Sequence, residues 1–323
     1  MTSLDIDPAL LPASGEAPRC AEHADAIDLD PVGSALHVDE VLLIDMPQPW
    51  PKPVWAADGF THVPEAVMAA GEQGRRVRAL AAVPLDDGIS RIIAHQRIEG
   101  SGPMIRSEFQ MPADEVGHVA DLMLRAGCAA GDPWLVDVPI PPREVAICTQ
   151  GSHDICCGSD GTRLVSQLLT ARPELTVRKV SHTGGHRYAP TGLTFPDGRM
   201  WGFASVEEMG RILDRHGSPA TVAHRCRGWT GTDGVGQVAE RAVFTMLDDW
   251  AVDDLARSVE TQPNGDGWLA TVDVAGRRFD VAGRRFEVEV ERGRAVPTIA
   301  CRADGGLPAK PGTEYRVVGV SEV

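Results

Sequence analysis

Two stretches of this sequence concentrate side chains able to hold a metal: CTQGSHDICCGSDG (148–161) and SHTGGHRY (181–188). The first carries Cys148, Cys156 and Cys157, and the second carries His182 and His186. Cys148 closes the β-favouring run EVAIC, and Cys157 stands nine positions later, where a helical pattern begins. Gly184 and Gly185 permit a tight turn between the histidines, so both imidazoles can face one centre. Two thiolates and two imidazoles suit tetrahedral zinc, or an iron–sulfur centre in which two histidines replace two cysteines on one iron. Spacing alone does not separate these readings, and Cys156 competes with Cys157 for the second thiolate position.

Hydrophobic periodicity and turn residues indicate the elements that must position these groups. EVAIC (144–148) is expected to form a strand, GTRLVSQLLTARP a helix stopped by Pro173, and TVRKVS (176–181) the next strand. TGLTF and RMWGFA flank Pro196-Asp197-Gly198, a hairpin signal. SVEEMGRILDRHG (205–217) opens with a capping box, Ser205 three residues before Glu208. This order of strand, helix, strand, hairpin and helix is that of a thioredoxin-like domain, assigned to residues 140–235. Residues 37–130 show the same order without the cysteine and histidine motifs: strand DEVLLIDM (39–46), helix 64–76, strands 77–84, 91–99 and 104–111, and helix 114–127. The middle strands are parted at Asp86, Asp87 and Gly88. The expected architecture is α/β, with tandem thioredoxin-like units of which the N-terminal copy (37–130) is degenerate. An irregular segment (1–36) precedes them, and a helix plus β-rich C-terminal domain (236–323) follows. That last domain contains VAGRRF twice, at 274–279 and 281–286, a local duplication rather than a solenoid.

The 323 residues carry a net charge of −15, which disfavours nucleic acid as a partner. Residues 141–230 hold 11 Lys+Arg against 8 Asp+Glu, leaving −18 on the remainder. The segment richest in candidate ligands is thus the least acidic. Seven irregularly spaced cysteines argue against a disulfide framework. No apolar run reaches the roughly 20 residues of a membrane span, and the acidic start lacks the pattern of a signal peptide. A cytoplasmic location is expected.

CTQGSHDICCG, SHTGGHRYAPTGLTFPDGRMWG and RGWTG resemble the sucrase/ferredoxin-like family, and LLIDMPQPWPK (42–52) resembles its N-terminal signature. The sequence is also similar to thioredoxin-like ferredoxins whose cluster has two histidine ligands. That resemblance implies a [2Fe–2S] cluster held by Cys148, Cys157, His182 and His186, the family placing its second cysteine directly before the glycine that opens the helix. It implies one-electron exchange with a redox partner protein. Reduction is also expected to bring a proton to a histidine ligand, because iron(III) acidifies the outer ring N–H and an added electron relaxes that pull. The degenerate unit would replace a dimer partner within one chain. Ser152, Ser181 and Thr183 are candidate hydrogen-bond donors to the cluster sulfurs, or ordinary loop caps. Asp154 and Arg187 are candidates for outer contacts or a surface ion pair. His153 reads as solvated, His224 and Cys226 as structural, and Trp229 as a buried ring rather than an electron relay. The rival readings are a structural zinc module and a thiol oxidoreductase using Cys156 and Cys157, a pair that lacks C-x-x-C spacing. A sugar hydrolase is suggested only by the family's name, since no paired-carboxylate signature stands out.

Overall fold

The computed structural model describes residues 6–85, 88–98, 101–276 and 282–323. Asp86, Asp87, Glu99 and residues 277–281, which include parts of both VAGRRF copies, lie outside the described residues.

A short helix, α1 (Cys20–Ala26), stands in the segment expected to be irregular. Seven residues are too few to reveal a periodic face, and so short a helix depends on what it packs against. Cys20, Ala21 and Ala24 supply that packing face. Strand β1 (Glu40–Asp45) is buried at nearly every position, which explains its unbroken apolar run. Helix α2 (Val63–Glu72), with Pro64 in its first turn, carries the chain over to β2 (Val77–Ala82), parallel to β1. Strands β3 (Ser90–Arg97) and β4 (Met104–Met111) follow antiparallel, then α3 (Val116–Ala126) and the two-residue edge strand β5 (Leu135–Val136).

The second half repeats this arrangement. Strand β6 (Glu144–Cys148) leads through α4 (Thr162–Ala171) to β7 (Thr176–Val180), parallel to it. Strand β8 (Thr191–Phe195) returns antiparallel beside β6, then β9 (Arg199–Gly202), α5 (Val206–Asp214) and β10 (Cys226–Trp229). The Ser205–Glu208 capping box forms as expected. Within each half the first strand lies between the second, parallel, and the third, antiparallel. One ten-stranded mixed sheet results, in the order β10-β9-β8-β6-β7-β2-β1-β3-β4-β5. The halves join at β2 and β7, where Ala82 pairs with Val180 and Ser181 N–H donates to the Ala81 carbonyl at 2.8 Å.

Helix α6 (Gly234–Leu247) separates this sheet from a second, antiparallel one of β11 (Arg257–Asn264), β12 (Gly267–Val274), β13 (Arg284–Thr298) and β14 (Lys310–Glu322). Phe286, Val288 and Val290 alternate inward along β13, the period of a strand with one dry face. With Val272 and Val274 they share a core with Val238, Val243 and Phe244 of α6. Among the described residues, no helix is long and apolar enough to cross a membrane.

A buried ion network ties the parts together. Arg199 of β9 donates to both carboxylate oxygens of Glu240 on α6, at 2.8 and 2.7 Å, and to Asp253 at 2.7 Å. Arg257 of β11 reaches the same two carboxylates. Burial alone would push the Arg199 guanidinium down, but Asp253 and Glu240 hold it well above its ordinary value. Removing one partner of such a network leaves uncompensated charge in a dry interior, at a cost of about 3–5 kcal/mol. Arg199→Met is therefore expected to lose about 3 kcal/mol or more, read as a lower urea midpoint.

Candidate metal centre

Cys148, fully buried, is the last residue of β6. The chain loops outward and re-enters at Cys156, and residues 157–161 form a wide helical turn that runs into α4. Two backbone approaches hold this turn against the end of β6. A Cβ on Gly161 would lie 1.9 Å from the Cys148 carbonyl oxygen, and one on Gly158 would lie 2.3 Å from Gly151 Cα. Only residues without a Cβ allow this closeness, which brings Cys157 alongside Cys148. The two sulfurs and a ring nitrogen of His182 all lie within 4.8 Å of one another. The Cys148 thiol is pushed well below its ordinary value, chiefly by the Cys157 S–H, with help from His182 and the backbone N–H groups of Gln150 and Thr183. The Cys157 thiol is pushed up by that same partner and by burial.

His182 follows β7 on a loop held from several directions. Its N–H donates to Gln150 Oε1 at 3.0 Å, and Arg78 of β2 donates to its carbonyl. Its ring stacks on His153 with centroids 3.8 Å apart, so His153 is a packing partner rather than a solvated loop residue. Among the described residues, His182 Nδ1 is buried without a hydrogen-bond partner. Beyond it, Gly184 and Gly185 take φ of +88° and +71°. A Cβ on Gly185 would meet the buried Arg227 guanidinium at 2.4 Å, and Arg227 donates to the Gly184 carbonyl.

The next turn presents His186, its ring centroid 6.1 Å from that of His182. His186 Nδ1 lies 3.0 Å from Asp154 Oδ2 and 3.1 Å from Cys20 Sγ. His186 therefore groups with Cys20 and Asp154 rather than in the tight set of Cys148, Cys157 and His182. Burial would raise the Asp154 carboxyl, yet His186 and the Cys156 N–H bring it down to about 2. Arg187 turns elsewhere, donating to Thr298 Oγ1 and lying over the Tyr188 ring.

The hydroxyls expected near sulfur have other partners. Ser152 donates to the Trp50 carbonyl at 2.8 Å, Ser181 accepts from Ala81 N–H at 3.0 Å, and Thr183 faces Thr191 at 3.0 Å. Ser152 thereby joins a clamp from the N-terminal half. Gln150 Nε2 donates to the Pro51 carbonyl and Lys52 Nζ to the His153 carbonyl, both at 2.9 Å. Trp229 is buried, with the Arg97 and Arg257 guanidinium groups over its ring. Cys226 is buried beside Arg199, and His224 lies 3.4 Å from Glu208; among the described residues neither belongs to a group of donors able to hold a metal.

Cys156 and Cys157 diverge. Cys156 Sγ faces Cys20 Sγ at 3.6 Å and Cys301 Sγ at 3.8 Å. Its thiol is drawn down to about 6, first by the Cys20 S–H, while burial opposes. Cys20 and Cys301 were not singled out in the sequence reading, where each stands alone in its segment.

A family model described as sucrase/ferredoxin-like matches residues 31–228. That span is more than half of the chain, which belongs to this family. No curated protein and no solved structure matches the chain.

The glycine contacts give a direct test of how the centre is built. Gly161→Ala must displace the turn from Cys148, an overpacking that costs about 1–3 kcal/mol. The expected result is a lower denaturation midpoint together with faster alkylation of Cys148 in the metal-free protein.

Proposed function

We propose that this member of the sucrase/ferredoxin-like family holds one [2Fe–2S] cluster through Cys148, Cys157, His182 and His186 and passes single electrons to and from redox partner proteins. The observation that carries this reading is the meeting of Cys148, Cys157 and a His182 ring nitrogen within 4.8 Å at the ends of two adjacent parallel strands, with His186 one short turn away. A two-metal cluster spreads its ligands over two irons, so four donors around a single point are not required. The unpartnered His182 Nδ1 and the Cys148 thiolate fit a group that takes up soft and imidazole donors.

Asp154 supports the part given to His186. A metal-bound histidine commonly offers its other ring nitrogen to a carboxylate, which fixes the ring. With Nδ1 beside Asp154, Nε2 is the nitrogen free to turn inward. When bound, the cluster supplies reversible one-electron chemistry, at a potential raised by the two neutral imidazoles. The chain's own contribution is charge and enclosure. Arg78, half-buried, and Arg227, buried, are cations that feel Cys148, and positive charge there favours the more negative, reduced state. His186 keeps 32% of its side chain exposed, so solvent reaches one of the histidines through which reduction would be coupled to proton uptake.

The shared strand order of the two halves supports the tandem thioredoxin-like reading, with the N-terminal unit in the place of a dimer partner. The acidic net charge and absence of long apolar runs favour a cytoplasmic protein without nucleic-acid or membrane partners. The basic balance of residues 141–230 favours an acidic docking partner.

Paired cysteine variants test the reading. Cys157→Ser removes a thiolate ligand and is expected to abolish iron and acid-labile sulfide in protein purified without oxygen. Cys156→Ser is expected to keep most of both. The reverse pattern, or equal iron in both variants, would reject this ligand set.

A further inference from the structure

We infer that Cys20, Cys156 and Cys301 form a second metal site, separate from the proposed cluster, that takes one thiophilic divalent cation such as zinc. The three sulfurs lie within 4.8 Å of one another, although the residues are as much as 281 positions apart in the chain. Cys156 is the hub, 3.6 Å from Cys20 and 3.8 Å from Cys301. Four zinc–sulfur bonds of about 2.3 Å at tetrahedral angles place neighbouring sulfurs about 3.8 Å apart. The observed separations match that edge. They exceed the roughly 2.05 Å of a disulfide, and three sulfurs in mutual contact make a tripod rather than a pair.

Cys20 also belongs to a neighbouring set of donors, with Asp154 and His186, all within 4.8 Å of one another. A water molecule, or Asp154 after a small shift, would complete four-coordination without taking His186 from the cluster. Cys20 and Cys156 are almost wholly buried, at 1% and 0% exposure.

The surroundings hold the three cysteines in place independently of any metal. The loop carrying Cys301 is tied to the segment before Cys20 by Arg302 N–H to the Pro18 carbonyl at 2.9 Å and Gly305 N–H to the Glu16 carbonyl at 2.8 Å. On the other side, Arg19 pairs with Asp160 at 2.6 Å, next to the turn that carries Cys157. Cys20 and Cys301 both lie outside residues 31–228, so the family match does not supply this site. A cation here would staple the N-terminal helix and the second sheet over the loop that carries Cys156 and Cys157.

The experiment is zinc analysis of the full chain, purified without oxygen and equilibrated with zinc. About one zinc per chain is expected, kept in Cys148→Ser and lost in both Cys20→Ser and Cys301→Ser. The iron content of Cys301→Ser should stay close to that of the parent chain. Alkylation of the parent chain, read by mass spectrometry, serves even where a variant fails to fold. Zinc should protect Cys20, Cys156 and Cys301 together, and a chelator should expose them together. Zinc that survives both variants, or that disappears with Cys148→Ser, would overturn the site. So would a Cys20–Cys156 disulfide, or no zinc-dependent protection of these cysteines. Loss of iron from the parent chain with its zinc retained would count against the cluster reading and leave this site standing.

Discussion

Everything at the centre depends on the turn of residues 157–161 lying directly on the end of β6. With Gly161 pressed on the Cys148 carbonyl and Gly158 on Gly151, two cysteines nine positions apart become neighbours. Side chains could not hold them so, since any Cβ at these glycines would force the turn away. The contact also couples the two sulfurs. Close approach in a buried setting lets the Cys157 S–H donate to Cys148, which pushes the Cys148 thiol well below its ordinary value before any metal arrives.

The N-terminal half carries none of the proposed cluster ligands, yet it shapes the centre. Joined through β2 and β7 into one sheet, it brings Arg78 beneath His182 and the 50–52 segment over the Cys148 loop. The Gln150 and Ser152 side chains and the His153 carbonyl of the loop thus find partners in the first half rather than in water. This is a physical reason for two repeated halves to stay fused: the second alone would leave that loop partly unsatisfied.

Local pattern made much of this architecture legible. The parallel strand pairs, the PDG hairpin and the Ser205 capping box form where hydrophobic period and turn chemistry indicate. The gathering of cysteines at 148–157 and of histidines at 182–186 was also readable, because each motif is short, but spacing left Cys156 and Cys157 in competition and only the family resemblance favoured Cys157. What was not readable depends on long-range packing. Cys20 and Cys301 sit in unremarkable stretches and meet Cys156 only after the chain ends fold over the ligand loop. The direction of His186 is likewise set by Asp154 across the loop, and the stacking of His153 on His182 by the clamp from Lys52. Helix α1 exists through burial of Cys20, Ala21 and Ala24 rather than through a periodic face of its own.

The proposed centre differs from an all-thiolate cluster, and from a zinc site, in joining two imidazole nitrogens to a paramagnetic iron pair. Pulsed EPR of protein purified without oxygen, reduced by one electron and labelled with 15N-histidine tests this most directly. The account predicts a rhombic signal coupled to two histidine nitrogens, with one coupling lost in His182→Cys and one in His186→Cys. A diamagnetic protein lacking sulfide, or a cluster signal without histidine coupling, would contradict it.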